Sequence, residues 1–201
     1  MKQAEFWKKK PVKELLKKTN IFAKRSLKLI KQRKLKTILD LGCGRSRDPV
    51  FFANNGLVVT ALDVSKNRLE TLKRQNIKNI KIVQQDIRNL KFPENSFDVI
   101  YAHLSTHYFD DKTTTKIFDK LYKILKKDGL FLVKCKSTDD VMYGKGKKIE
   151  DNFYILEGHA RHFFDKDYMK DKLRKFKILK IRKSTSMYKR KSHFIEAAAA
   201  K

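Results

Sequence analysis

The stretch Thr37-Ile38-Leu39-Asp40-Leu41-Gly42-Cys43-Gly44 decides how this chain is read. Thr37 to Leu41 is an apolar, β-rich run that Gly42 and Gly44 break, and the residues from Arg45 to Asn55 can wind as a helix. The order is strand, tight turn, helix. Glycine suits such a turn because the backbone must approach a ligand closely and can need positive φ. Leu57 to Leu62 reads as a second buried strand, ending in Asp63. A carboxylate just past a second strand can accept hydrogen bonds from both hydroxyls of a ribose.

The pattern continues downstream. Ser65 is a natural N-cap for a helix carrying Leu69 and Leu72. Ile77 to Val83 gives a third strand, followed by Asp86-Ile87, and Phe97 to Ala102 a fourth. Asp110 or Asp111 can cap a helix from Thr113 to Lys126, and Leu130 to Val133 is a fifth strand. Asp165 caps a helix running to Phe176, and Phe176 to Ile181 and Ser192 to Ile195 are the sixth and seventh strands. The run Glu196-Ala197-Ala198-Ala199-Ala200-Lys201 favours helix by composition, although it sits where strand residues are expected. Asp40, Asp63 and Asp86 each stand at a predicted strand end, so they converge on one edge of a parallel sheet, where open α/β sheets bind ligands.

Dinucleotides and S-adenosylmethionine both use this geometry. The dinucleotide fingerprint G-x-G-x-x-G fails, because Arg47 holds the third glycine position. In its place an acid precedes the glycines, in the order D-x-G-x-G. Asp40 suits a cationic cofactor without phosphates and would repel a pyrophosphate. This resembles motif I of the class I S-adenosylmethionine-dependent methyltransferases, in which a further glycine often stands where this chain has Ser46. "FPENSFDVIYA" before the fourth strand's end and "LKKDGLFLV" at the fifth also resemble that family, and the layout from Ser137 to Tyr168 resembles its tellurite- and thiol-methyltransferase branch.

The resemblance implies an α/β, Rossmann-like fold. Its seven-stranded, mostly parallel sheet has the order 3-2-1-4-5-7-6, a last strand that is antiparallel, and flanking helices. It implies that residues 1–36 form amphipathic helices over the cofactor mouth, with Trp7 a lid candidate. It implies a single domain over 37–201, with 136–164 as a substrate-side insert. It also implies that S-adenosylmethionine, and its product S-adenosylhomocysteine, are held by Asp40, Gly42, Cys43, Gly44, Asp63, Val64, Asp86, Ile87 and His103. Asp86 would receive the adenine amino group, and the Ile87 amide a ring nitrogen.

The chain has 201 residues, enough for one full core, and a formal charge of +27. That charge invites a nucleic acid or an anionic surface. Yet lysine outnumbers arginine 38 to 11, and arginine is the side chain whose fork fits phosphate and guanine. A solvated lysine surface is the favoured reading, and nucleic acid the less favoured one. No apolar stretch suits a membrane span, and residues 1–36 lack a secretory signal pattern, so a cytoplasmic protein is expected. Cys43 and Cys135 fit small buried residues in a reducing compartment. The histidine spacing is not that of a zinc site, so no metal is expected.

Methyl transfer from a sulfonium is a direct displacement and needs alignment more than a fixed catalytic set. A base helps where the acceptor must lose a proton. His107, after the fourth strand, and His162, in the insert, are the candidates ahead of His103 and His159. Arg161 can hold an anionic acceptor, and Tyr108 and Tyr143 can wall its pocket. A small acceptor leads. An RNA methyltransferase using the basic surface and a catalytically silent S-adenosylmethionine-binding module stay open beside it.

Overall fold

The structure, a computed structural model, describes residues 19–44, 47–187 and 191–201. Trp7 and the first half of the expected N-terminal helices lie outside the described residues. Helix α1 spans Ile21–Gln32. It starts where Asn20, in extended backbone, accepts a hydrogen bond from Ala23 N–H at 2.8 Å, and it buries Phe22, Ala23, Ser26, Leu27 and Ile30 on one face.

Strand β1 (Thr37–Leu41) pairs in parallel with β2 (Val58–Asp63) on one side and β4 (Phe97–His103) on the other. Strand β3 (Ile80–Gln84) pairs with β2, and β5 (Leu125–Lys136) with β4. The connections are α2 (Arg47–Asn54), α3 (Lys66–Lys73) and α4 (Asp111–Ile124). The chain then forms three short strands, β6 (Lys147–Glu150), β7 (Phe153–Leu156) and β8 (His159–His162). These make an antiparallel sheet of their own. Helix α5 (Lys166–Lys172), β9 (Lys177–Met187) and β10 (Lys191–Ala200) complete the described chain.

The main sheet has the order β3-β2-β1-β4-β5-β10-β9. Its strands, taken alone in chain order, follow the expected 3-2-1-4-5-7-6; the higher labels arise from the three strands of the insert. Strand β10 is antiparallel to both neighbours. One face of the sheet packs Leu39, Ile100, Phe131, Val133, Ala197 and Ala199 with α4 and α5, and the other packs Ile38, Val59, Val99, Leu132 and Ala200 with α1 and α2. Burial on both faces explains why these strands read as continuous apolar runs.

Two local expectations need correction. The helix expected to reach Lys126 ends at Ile124, and Asp128-Gly129 lies inside β5 rather than at a helix end. A side chain at Gly129 would stand 2.8 Å from the Lys126 carbonyl and 2.9 Å from that of Asp98, so the strand bends there around a glycine. Ser65 occupies the position before α3 but makes no capping bond. The alanine run, helix-favouring by composition, is strand, as its place in the chain suggested, and Ala197, Ala199 and Ala200 are buried. Alanine's helical preference is worth less than about 1 kcal/mol per residue, and ladder bonds to β5 and β9 with burial on both faces override it.

Candidate functional site

A cavity of ≈ 210 Å³ opens at the carboxyl ends of β1, β2 and β4. The backbone of Gly42, Cys43 and Gly44 forms one wall, and Asp63, Val64, Asp86 and Ile87 another. His103, Leu104, Ser105, Tyr108 and Phe109 close the far side, with Asn20 and Asp48 beside them.

The glycine turn is held against β2: Gly42 N–H and Cys43 N–H both donate to the Leu62 carbonyl, at 2.8 and 2.9 Å. Gly42 has φ +77°, and a Cβ there would sit 2.6 Å from Ser105 Cβ. The residue must therefore be glycine both for its backbone and for the close approach of the turn after β4. Asp63 receives one backbone amide on each carboxylate oxygen, Gly44 N–H at 2.8 Å and Ser65 N–H at 2.9 Å. Those bonds fix the carboxylate plane and leave lone pairs for the cavity. Asp86 pairs with Arg88, whose Nη2 lies 2.6 Å away.

Asp40 is placed differently from Asp63 and Asp86. It is 2% exposed and lies behind the turn rather than on the cavity wall. Burial pushes its carboxyl well above the usual range, and the nearby Asp48 and Asp63 charges push it further. Its Oδ2 has no hydrogen-bond partner.

Of the histidines, His103 faces the cavity and the two favoured as bases do not. His107 is 2% exposed, its ring against Tyr108 at 4.3 Å, while its carbonyl accepts from His162 N–H at 2.9 Å. Burial, then Lys136, His159, Arg161 and His103, hold His107 well below the usual imidazole value. His162 is 1% exposed and its Nδ1 lies 3.0 Å from the Phe109 carbonyl. These contacts tie the insert to the loop after β4.

The structure brings Tyr108 to the cavity but not Tyr143 or Arg161. Tyr143 donates to Asn152 Oδ1 at 2.7 Å, and Arg161 sits in β8 opposite Tyr154. Among the described residues no grouping of three or more His, Cys, Asp or Glu side chains is arranged to hold a metal ion, and no helix is long and apolar enough to cross a membrane.

Residue-level reading missed Asn20, Asp48 and Ser105. Asn20 Nδ2 donates to both Asp48 oxygens, at 2.7 and 2.8 Å, and Tyr101 O–H donates to Asp48 Oδ2 at 3.0 Å. An aspartate in the first turn of a helix looks like an ordinary dipole partner, and only the fold brings these groups together.

The family described as "Methyltransferase domain" matches residues 38–129. That span runs from β1 through the glycine turn, Asp63, Asp86 and His103 to the bend in β5. Residues 38–129 are a methyltransferase domain of the S-adenosylmethionine-dependent class. It is 31% identical over 123 residues to a methyltransferase of Geobacillus sp. (strain WCH70), an overlap of 58% of this chain and 49% of that relative. The chain thus spans about half the length of the curated relatives it matches. Among solved structures, it is similar to the Burkholderia thailandensis 1,6-didemethyltoxoflavin-N1-methyltransferase, crystallised with its substrate and S-adenosylhomocysteine. There the TM-score is 0.72 at 20% identity, over 90% of this chain and 78% of the other. A Methanosarcina mazei methyltransferase gives a TM-score of 0.75 at 17% identity, over 86% and 96%. At such identity these two show the fold, not the branch within the class.

The family's cofactor is S-adenosylmethionine, and the cavity's residues suit it. Asp48, Asp63 and Asp86 offer acceptors for an ammonium group and hydroxyls, while Arg47 and Arg68 offer positive charge for a carboxylate. Buried polar atoms without partners, Ser105 Oγ and His103 Nε2, belong to residues of the same wall.

Proposed function

We propose that the protein transfers a methyl group from S-adenosylmethionine to a small-molecule acceptor. The observation that supports this best is Asp63, whose two oxygens are fixed by backbone amides at the mouth of the cavity. A carboxylate oriented before the ligand arrives binds a ribose diol without ordering cost. Gly42 to Gly44 let the backbone approach, Asp86 and Ile87 take the adenine end, and Tyr108 and Phe109 line the far side. When bound, the sulfonium supplies an activated methyl carbon. The protein's task is then alignment and exclusion of water.

A small acceptor fits the setting better than a polynucleotide. The insert sheet lies beyond Tyr108, which stacks on His159 of β8 at 5.2 Å. The wall next to the cavity is thereby aromatic and packed. The similar Burkholderia enzyme was crystallised with 1,6-didemethyltoxoflavin bound.

Calorimetry with S-adenosylhomocysteine tests the cofactor half. Wild type binds, and Asp63→Ala weakens binding by roughly 10- to 100-fold, the worth of one or two charge-assisted hydrogen bonds. Transfer of tritiated methyl groups into a cell extract tests the acceptor half. Label is expected in the low-molecular-weight fraction, and label confined to RNase-sensitive material would overturn it.

A further inference from the structure

The far edge of the main sheet differs from the rest of it. Among the described residues β9 pairs with β10 alone, and none of its 11 residues is buried. The outward N–H and C=O groups of such a strand have no ladder. From Arg174 to Met187 the sequence holds six Lys and Arg and no Asp or Glu, against 49 and 22 in the whole chain.

A bulge sorts these charges. Lys177 lies opposite Ala200 and Ile178 opposite Ala199, but Lys180 lies opposite Ala198, so Leu179 is the extra residue. Alternate residues of β10 share a face of the sheet. Lys177, Lys180 and Arg182, opposite Ala200, Ala198 and Glu196, therefore come to one face of the edge. Without the bulge Lys177 would stand on the other face. Glu196 is 3% exposed and is already met by Lys134, Arg25 and Arg182, so it does not neutralise the strip. No ion pair joins Lys177 or Lys180 to another described residue. Ile178, Leu179 and Met187 are exposed beside them.

We propose that the β9 edge docks an acidic, extended segment of a partner protein, which adds to the sheet as a strand. This surface lies apart from the cavity, and the proposal does not depend on the methyl-transfer reading. Self-pairing with a second copy would set these cations against their own equivalents, which is repulsive. A nucleic-acid strand would match the charge, but β9 has no aromatic residue on which bases could stack, and the open ladder and apolar side chains would go unused. An acidic strand uses all three features. Its backbone completes the ladder. Its acids, at alternate positions about 6.6 Å apart, face Lys177, Lys180 and Arg182. Its apolar side chains cover Ile178, Leu179 and Met187.

The test is amide NMR of the whole chain with an eight-residue peptide alternating glutamate and valine. Signals of Lys177 to Met187 are expected to shift and their hydrogen exchange to slow, while a lysine–valine peptide moves none of them. Lys177→Glu with Lys180→Glu should weaken the peptide about tenfold, leaving the remaining amide spectrum and S-adenosylhomocysteine affinity unchanged. Added salt should weaken it in wild type. No β9 shift at about 1 mM peptide, a Kd weaker than any useful docking, overturns the proposal. So does equal affinity in the double variant. A 12-nucleotide oligouridylate that shifts the same amides at lower concentration than the peptide would make this a nucleic-acid edge instead. A dimer in sedimentation that the double variant abolishes would give the edge to a second copy.

Discussion

Gly42 shows how much one missing side chain can carry. With φ +77° and Ser105 Cβ 2.6 Å from where a methyl would stand, Gly42→Ala meets both backbone strain and overpacking. The expected loss is roughly 2–4 kcal/mol, read as a lower urea midpoint with unchanged slope. Asp98 gives a second residue-scale expectation. Burial would raise its carboxyl, but Lys126, both Thr37 donors and the Lys36 amide bring it from 3.8 to about 2. A carboxylate depressed on folding stabilises the protein above its unfolded value, about 4, and that contribution disappears as pH falls through about 2. Urea midpoints measured across that window should fall, and Asp98→Asn should flatten the decline. Residues whose role is set by backbone, such as Gly42, Gly44 and Asp63, were legible because strand, turn and strand end follow from local pattern. The choice among histidines was not. His103 closes β4 and lines the cavity, whereas His107, four residues on and past the left-handed Leu104, is buried.

At the scale of elements, α1 and β10 are each anchored by a polar contact that the sequence does not announce. Asn20 caps α1 and also reaches Asp48, a residue 28 positions along the chain. Asn20→Ala should cost about 1–2 kcal/mol in chemical denaturation. Asn20→Asp should keep the cap yet remain destabilised, because it faces another carboxylate. On β10, Glu196 is 3% exposed and meets Lys134, Arg25 and Arg182 at 3.2, 2.6 and 2.9 Å. Glu196→Ala leaves Lys134, itself 3% exposed, without its carboxylate, a change of the kind that costs about 3–5 kcal/mol. The double change Glu196→Leu with Lys134→Met should recover most of that loss. Apolar periodicity revealed α1 and the parallel strands. It could not reveal β10 in full, because four alanines carry no β signal and gain their conformation from the strands on either side.

Across the whole molecule, the formal charge of +27 makes the folded state repel itself. Raising sodium chloride from about 20 to about 200 mM shortens the screening length and should raise Tm by a few degrees. A Tm indifferent to salt would mean that local ion pairs already cancel the repulsion. The order of the sheet has a consequence of another kind. Strand β9 joins the sheet only through β10, which lies between it and β5. During synthesis on the ribosome, β9 emerges first and has no ladder to enter, while the edge of β5 stays bare. Until the alanines arrive, the nascent chain therefore presents an open seam, and this is the interval in which it most needs a chaperone's cover.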